Sequence, residues 1–278
     1  MTTFGMVIDV SRCTGCYNCF LACRDEHAGN DHRPVAAPQP DSGHRWIDVQ
    51  EHERGKFPRV RVDYVPLPCQ QCKDAPCLSR APEGTLYRRA DGIVVIDPEK
   101  AKGHPEIVLS CPYRAIYWNP AENVAQKCTF CAHLLDQGWK EPRCVEACPT
   151  EALVFGDLDD PASKISQLIK AKGAEELHPE FGVKPLVHYI GLPKRFVSGE
   201  IAFADRMDEA AAGVRVTLRN GAKAQDATSD AYGDFSFDGL EPGVAYVLHV
   251  AAPGYQPRTI EIGTRSDVDL GTIVLERA

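Results

Sequence analysis

The sequence predicts a chain in two parts: a cysteine-dense α+β domain over residues 1–158 and an all-β sandwich over residues 196–278. Three observations carry this. All 12 cysteines lie between Cys13 and Cys148. Short β-like stretches, "MVIDV" and "VDYVPLP", lead directly into cysteine runs. After Phe196 apolar and polar residues alternate in "GVRVTL", "GDFSFDGL", "AYVLHVAAPGY", "RTIEIG" and "DLGTIVLE", with Gly, Asp and Pro between them. Period-two apolarity broken by turn residues is the pattern of a small antiparallel sandwich.

A length of 278 residues suits two domains of ordinary size. A disulfide scaffold would be short and secreted, with cysteines spread through the fold. Clustered cysteines without a recognisable signal peptide point instead to metal ligation in a reducing compartment, and a cytoplasmic location is expected. The sequence contains no run of about 18 apolar residues, so no transmembrane segment is expected. A formal net charge of −8 argues against nucleic-acid binding.

Taken in order, the strand "MVIDV" feeds Cys13-x2-Cys16-x2-Cys19-x3-Cys23. Residues 28–66 form a polar insert rich in Pro, His and Arg, expected as loop with short strands. Cys69-x2-Cys72-x4-Cys77 follows "VDYVPLP", then comes the solitary Cys111, then Cys128-x2-Cys131-x12-Cys144-x3-Cys148. Residues 160–180 predict one helix, capped by Asp160 or Ser163 and carrying Ile165, Leu168 and Ile169 as its apolar stripe. Residues 181–196, with Pro185 and Pro193, read as a connecting arm, so 159–195 is a helix and arm between the two domains.

The first cysteine run has the bacterial ferredoxin spacing, in which three close thiolates hold one face of a 4Fe–4S cube and the fourth ligates a neighbouring cube. Structural zinc sites use two separated C-x-x-C pairs and need no third cysteine two positions on. Cys148-Pro149 and Cys111-Pro112 share a frame with Ala81-Pro82, where alanine stands in the cysteine slot. Conversely, the three slots preceding Cys111 hold Ala101, His104 and Ile107. The sequence thus looks built on four cluster motifs, two of them half-erased in complementary ways, and a ferredoxin-like poly-cluster domain is the expected fold. Crossed ligation accounts for the pattern, because three ligands of one motif need the fourth of its partner.

The resulting assignment is three 4Fe–4S clusters. Cluster A takes Cys13, Cys16, Cys19 and Cys148; cluster B takes Cys69, Cys72, Cys77 and Cys111; cluster C takes Cys128, Cys131, Cys144 and Cys23. An uncrossed arrangement of A and C gives the same count. Arg24, Lys73, Lys127 and Arg143 are cations near these runs, either tuning potentials or lying solvated. His104 reads as a surface-loop histidine, and Trp46, Trp118 and Trp139 read as packing residues. No catalytic constellation stands outside the cysteines.

At these motifs the chain resembles the iron–sulfur subunits of the dimethyl-sulfoxide-reductase family of molybdenum enzymes, whose last motif is similar to "KCTFCAHLLDQGWKEPRCVEACPTEAL". "CRDEH" (23–27), "GHRW" (43–46), "DGIVVIDPEKAKG" (91–103), "ENVAQKCTFCAHLLD" (122–136), the erased cluster and the appended sandwich are similar to a branch acting anaerobically on phenols of pyrogallol and resorcinol type. The resemblance implies a large catalytic partner holding molybdenum on two molybdopterin guanine dinucleotides, in a heterodimer or higher oligomer. This chain would be the electron-transfer subunit of a hydroxylation or hydroxyl transfer. The stretch "DAYGDFSFDGLEPGVAYVLHVAAPGYQPRTIEI" resembles transthyretin-like (Ig-like) domains, with subunit docking as its expected role. The rival functions are an electron-transfer subunit for a sulfoxide, oxyanion or formate enzyme, a free multi-cluster ferredoxin, and a scaffold with structural clusters.

Overall fold

The computed structural model describes residues 2–278. Its strands are β1 (Phe4–Asp9), β2 (Ile47–Lys56), β3 (Arg59–Pro68), β4 (Leu86–Arg88), β5 (Val94–Ile96), β6 (Tyr117–Asn119), β7 (Val124–Gln126), β8 (Leu153–Asp157), β9 (Val187–Ile190), β10 (Arg195–Phe203), β11 (Arg215–Asn220), β12 (Lys223–Thr228), β13 (Asp234–Leu240), β14 (Ala245–Ala251), β15 (Arg258–Gly263) and β16 (Val268–Leu275). Its α-helices are α1 (Asn18–His27), α2 (Pro76–Arg80), α3 (Ala132–Asp136), α4 (Arg143–Glu146) and α5 (Lys164–Lys172). They form two compact units, one of residues 1–51 and 63–192, the other of residues 52–62 and 193–278.

In the first unit β1 is the middle strand of a three-stranded sheet, antiparallel to β8 and parallel to β9. Flanked on both edges, Met6, Val7 and Ile8 are fully buried, and Ile165 of α5 packs with Val7. The helix expected over 160–180 is confined to Lys164–Lys172. Ser163 accepts from the Ser166 N–H at its start, and Gly173, at φ +60°, ends it in the left-handed region. The expected connecting arm is not free, since β9 within it completes the sheet. Short hairpins, β4–β5 and β6–β7, follow the second and third motif positions.

The insert also departs from expectation. Its first part covers the end of α1 and the β6–β7 hairpin, with Gln126 and Asn119 donating to the carbonyls of Ala37 and Pro38 at 2.7 and 2.9 Å. Its second part is a long hairpin, β2–β3, rather than short strands, and the tip of that hairpin belongs to the second unit. There Arg59 and Arg61 pair with Asp234 and Asp238. Arg54 pairs with the buried Asp267, and the guanidinium of Arg61 lies 4.2 Å from the Phe196 ring centroid. Strong hydrogen-bonding partners and a buried aromatic ring hold a segment whose polar composition had suggested loop.

The second unit stacks sheet β13-β10-β16 on sheet β12-β11-β14-β15. Val216, Leu218, Phe235, Phe237, Leu248 and Val250 fill its core. One-face burial along β11, β13 and β14 follows the alternation of their sequences.

Candidate metal centres

No disulfide joins any of the twelve cysteines. Strand register explains the first grouping. Ile8 of β1 stands opposite Leu153 of β8, and the Asp9 N–H donates to the Ala152 carbonyl at 2.7 Å. The loop leaving β1 and the loop entering β8 therefore emerge at the same end of the sheet. Cys13 and Cys16 come from the first loop, Cys19 from the first turn of α1 that follows it and Cys148 from the second loop, and these thiols lie within one another's electrostatic reach.

Cys23 goes elsewhere. Helix α1 packs against α4, which carries Cys144, and the buried Cys23 faces Cys128, Cys131 and Cys144. In the remaining group α2 packs against the 3-10 turn Pro105–Ser110 that precedes Cys111. Cys69, Cys72, Cys77 and Cys111 line one small cavity, along with Val94, Ile116 and Lys127. The groups adjoin one another: Cys19 neighbours Cys23 and Cys144, while Cys69 neighbours Cys128.

Burial pushes most of these thiols upward, Cys19 and Cys131 to about 12 and Cys111 and Cys128 to about 11. Cys23 and Cys144 are raised well above the ordinary thiol value for the same reason, reinforced by neighbouring sulfurs. Packing four sulfurs together in low dielectric favours the neutral thiol unless a strongly cationic group is shared among them. Cys148 differs: burial opposes its ionisation, but bonds from Thr150 and the backbone of Leu153 and Ala152 outweigh this and lower it.

The donor sets fit iron–sulfur clusters on two further grounds. Backbone N–H groups are aimed at sulfur, Phe130 to Cys128 at 3.4 Å and Ala152 to Cys148 at 3.3 Å. Such bonds stabilise ligating thiolates and bias cluster potential. The second residue after the first cysteine of each motif is left-handed, Gly15 at φ +66°, Gln71 at +49° and Phe130 at +51°. Gly103, two residues after Ala101, has φ +77°. This stretch thus has the same left-handed turn as the C-x-x-C loops, with Ala101 and Ile107 fully buried.

The four cations separate. Lys73 is exposed, and Arg24 is spent on the carbonyls of Pro40 and Asp41. Arg143 pairs with Glu26 and Glu146. Only Lys127 is buried, at 2% exposure. His104 bonds Glu106 in an exposed loop; Trp46 is buried, whereas Trp139 is 42% exposed.

A polar cluster beside Cys131 escaped the sequence reading, although "CRDEH" and "CAHLLD" contain most of it. His27, His32 and His133 bring ring nitrogens within 4.8 Å of one another. His133 bonds the Glu26 carboxylate at 2.9 Å, and His27 Nε2 lies 3.7 Å from Cys131 Sγ. The rings of His32 and His133 are stacked, 3.7 Å apart with 16° between planes. One ion cannot lie in both ring planes, so the three imidazoles do not converge as a separate tetrahedral site. Gln39, from the insert, extends its side chain toward Cys23.

A family model described as 4Fe-4S dicluster domain matches residues 60–158, and one described as carboxypeptidase regulatory-like domain matches residues 197–276. The pyrogallol hydroxytransferase small subunit of Pelobacter acidigallici is 40% identical, aligned over 99% of this chain and 100% of its own. The arsenate respiratory reductase iron-sulfur subunit ArrB of Shewanella sp. (strain ANA-3) is 34% identical, over 67% of this chain and 95% of its own. A sulfite dehydrogenase subunit of Allochromatium vinosum is 35% identical, over 70% of this chain and 85% of its own. Among the described residues no helix is long and apolar enough to cross a membrane. Thiol groups, family models and relatives agree on a non-catalytic electron-transfer subunit that binds 4Fe–4S clusters, and the chain belongs to the iron–sulfur subunits of the dimethyl-sulfoxide-reductase family of molybdenum enzymes.

Proposed function

We propose that this chain holds three 4Fe–4S clusters, with the crossed ligand sets A, B and C given above, for a large subunit carrying molybdenum on two molybdopterin guanine dinucleotides. The joint reaction is anaerobic hydroxylation, or hydroxyl transfer, on a di- or trihydroxybenzene. One observation carries the substrate class: likeness to the pyrogallol enzyme's small subunit runs over 99% of the chain, whereas the reductase and dehydrogenase relatives align with 67–70% of it. When bound, the clusters supply one-electron transfer. The chain's own part is to present grouped thiols, aim N–H donors at them and bury most of them from water.

The β-sandwich is proposed to dock the large subunit. Its removal after Arg195 should leave the cysteine groups intact, since Cys148 is the last of them, and should weaken partner binding. Equal affinity without it would remove this role. For the reaction, the purified two-subunit complex is assayed anaerobically with pyrogallol and with resorcinol, with an artificial electron acceptor in half the vessels. Hydroxyl transfer between two phenols releases no net electrons and needs no acceptor. Net hydroxylation takes oxygen from water, releases two electrons and two protons, and depends on the acceptor. Turnover of arsenate, sulfoxide or formate alone would overturn the proposal.

A further inference from the structure

Lys127 is an anomaly in the first unit. A buried ammonium is costly unless an anion compensates it. At 2% exposure, Lys127 donates only to backbone carbonyls, that of Val94 and that of Cys128 at 3.1 Å. Among the described residues no carboxylate lies within ion-pair distance of it. The side chain lines the cavity of Cys69, Cys72, Cys77 and Cys111, while its backbone adjoins Cys128 of the next group. Its charge lies within electrostatic reach of both the Cys77 and the Cys128 sulfur. The two groups are themselves joined by Gln71, which lies between Cys69 and Cys72 and whose amide donates to the Cys128 carbonyl at 3.0 Å.

We propose that Lys127 is the shared counter-charge of clusters B and C, a positioning residue that favours their reduced forms and permits two anionic clusters to adjoin. This rests on the ligand sets proposed above. Four thiolates around a doubly positive core leave each cluster at about −2, and reduction adds another negative charge. A fixed positive charge between two such sites, shielded from water, stabilises each reduced form and offsets their repulsion. The other three cations do not combine these properties: Lys73 is solvated, while Arg24 and Arg143 are bound to other partners. The Val94 and Cys128 carbonyls hold the ammonium in place, so the effect needs no reorganisation.

The test uses the two-subunit complex carrying Lys127→Met, Lys127→Gln or Lys127→Arg, with iron content and redox titrations followed by electron paramagnetic resonance. Methionine and glutamine keep much of the volume and remove the charge. With iron unchanged, the reduced-to-oxidised ratio of clusters B and C at fixed potential should fall about tenfold or more, 59 mV per tenfold for a one-electron couple. Cluster A should move less, and Arg should restore wild-type behaviour. Unchanged B and C, an equal shift of all three clusters, or an Arg variant that behaves like Met would overturn the proposal. Should the neutral variants fail to assemble B or C, assembly with Arg supports the charge, and failure with Arg assigns Lys127 to packing instead. A wild-type complex without distinct B and C signals sinks the ligand assignment first, and this proposal with it.

Discussion

Replacing Cys23 and Cys144 together by alanine separates crossed from uncrossed ligation. Cys23 belongs in sequence to the first motif and Cys144 to the last. In space α1 packs against α4, and both thiols face Cys128 and Cys131. If both serve cluster C, the double variant removes two thiols from one site and none from the others. A cube cannot be held by two thiols, so iron should fall from about 12 to about 8 atoms per chain, with clusters A and B unchanged in their spectra. Uncrossed ligation would remove one thiol from each of two sites. Two sets of signals would then change together, with three-iron remnants leaving about 10 irons or complete loss leaving about 4. Iron and acid-labile sulfide are measured beside the resonance spectra, with Cys13→Ala as the control that should perturb A alone. Perturbation of both A and C signals in the double variant would refute the grouping argument.

Gly15→Ala should impair cluster A selectively. At φ +66° the left-handed conformation costs alanine about 1 kcal/mol, and the new Cβ would meet the Tyr64 ring at 2.5 Å. Its check is iron content at site A, and full loading would count against the loop argument. Phe196→Ala should cost the second unit about 4 kcal/mol, because the ring is buried at 1% exposure beneath the guanidinium groups of Arg54 and Arg61; denaturant unfolding of that unit measures it, and a loss below about 1 kcal/mol would show the tip contact to be incidental. Asp9 supplies a pH test. Burial raises its carboxyl, but bonds from Lys172 at 2.8 Å and Ser11 at 2.5 Å more than offset this, and its pKa is lowered. The contribution is therefore present above about pH 4 and lost as the pH falls through the folded value. Lys172→Met should lower stability by about 1 kcal/mol at neutral pH, allowing for the half-exposed ammonium, with the difference shrinking toward zero near pH 2; a difference independent of pH would refute the assignment.

Cysteine spacing is local, and a C-x-x-C loop needs only its own backbone turn, so the motifs and the alanines standing in cysteine slots at Ala81 and Ala101 were legible without coordinates. The alternation after Phe196 was legible for a related reason, because burial on one face writes a period of two into each strand. The grouping of Cys148 with Cys13 and of Cys23 with Cys144 was expected from the crossing rule, but spacing left the uncrossed arrangement equally open, since the choice depends on the β1–β8 register and on the packing of α1 against α4. Those contacts join residues far apart in sequence, and spacing carries no information about them. For the same reason composition could not distinguish Lys127 from Lys73: each is a lysine beside a cysteine run, and only the tertiary fold removes water from one and leaves it around the other. The polar tip of β2–β3 likewise became ordered structure only because Asp234, Asp238, Asp267 and Phe196, all distant along the chain, meet its arginines.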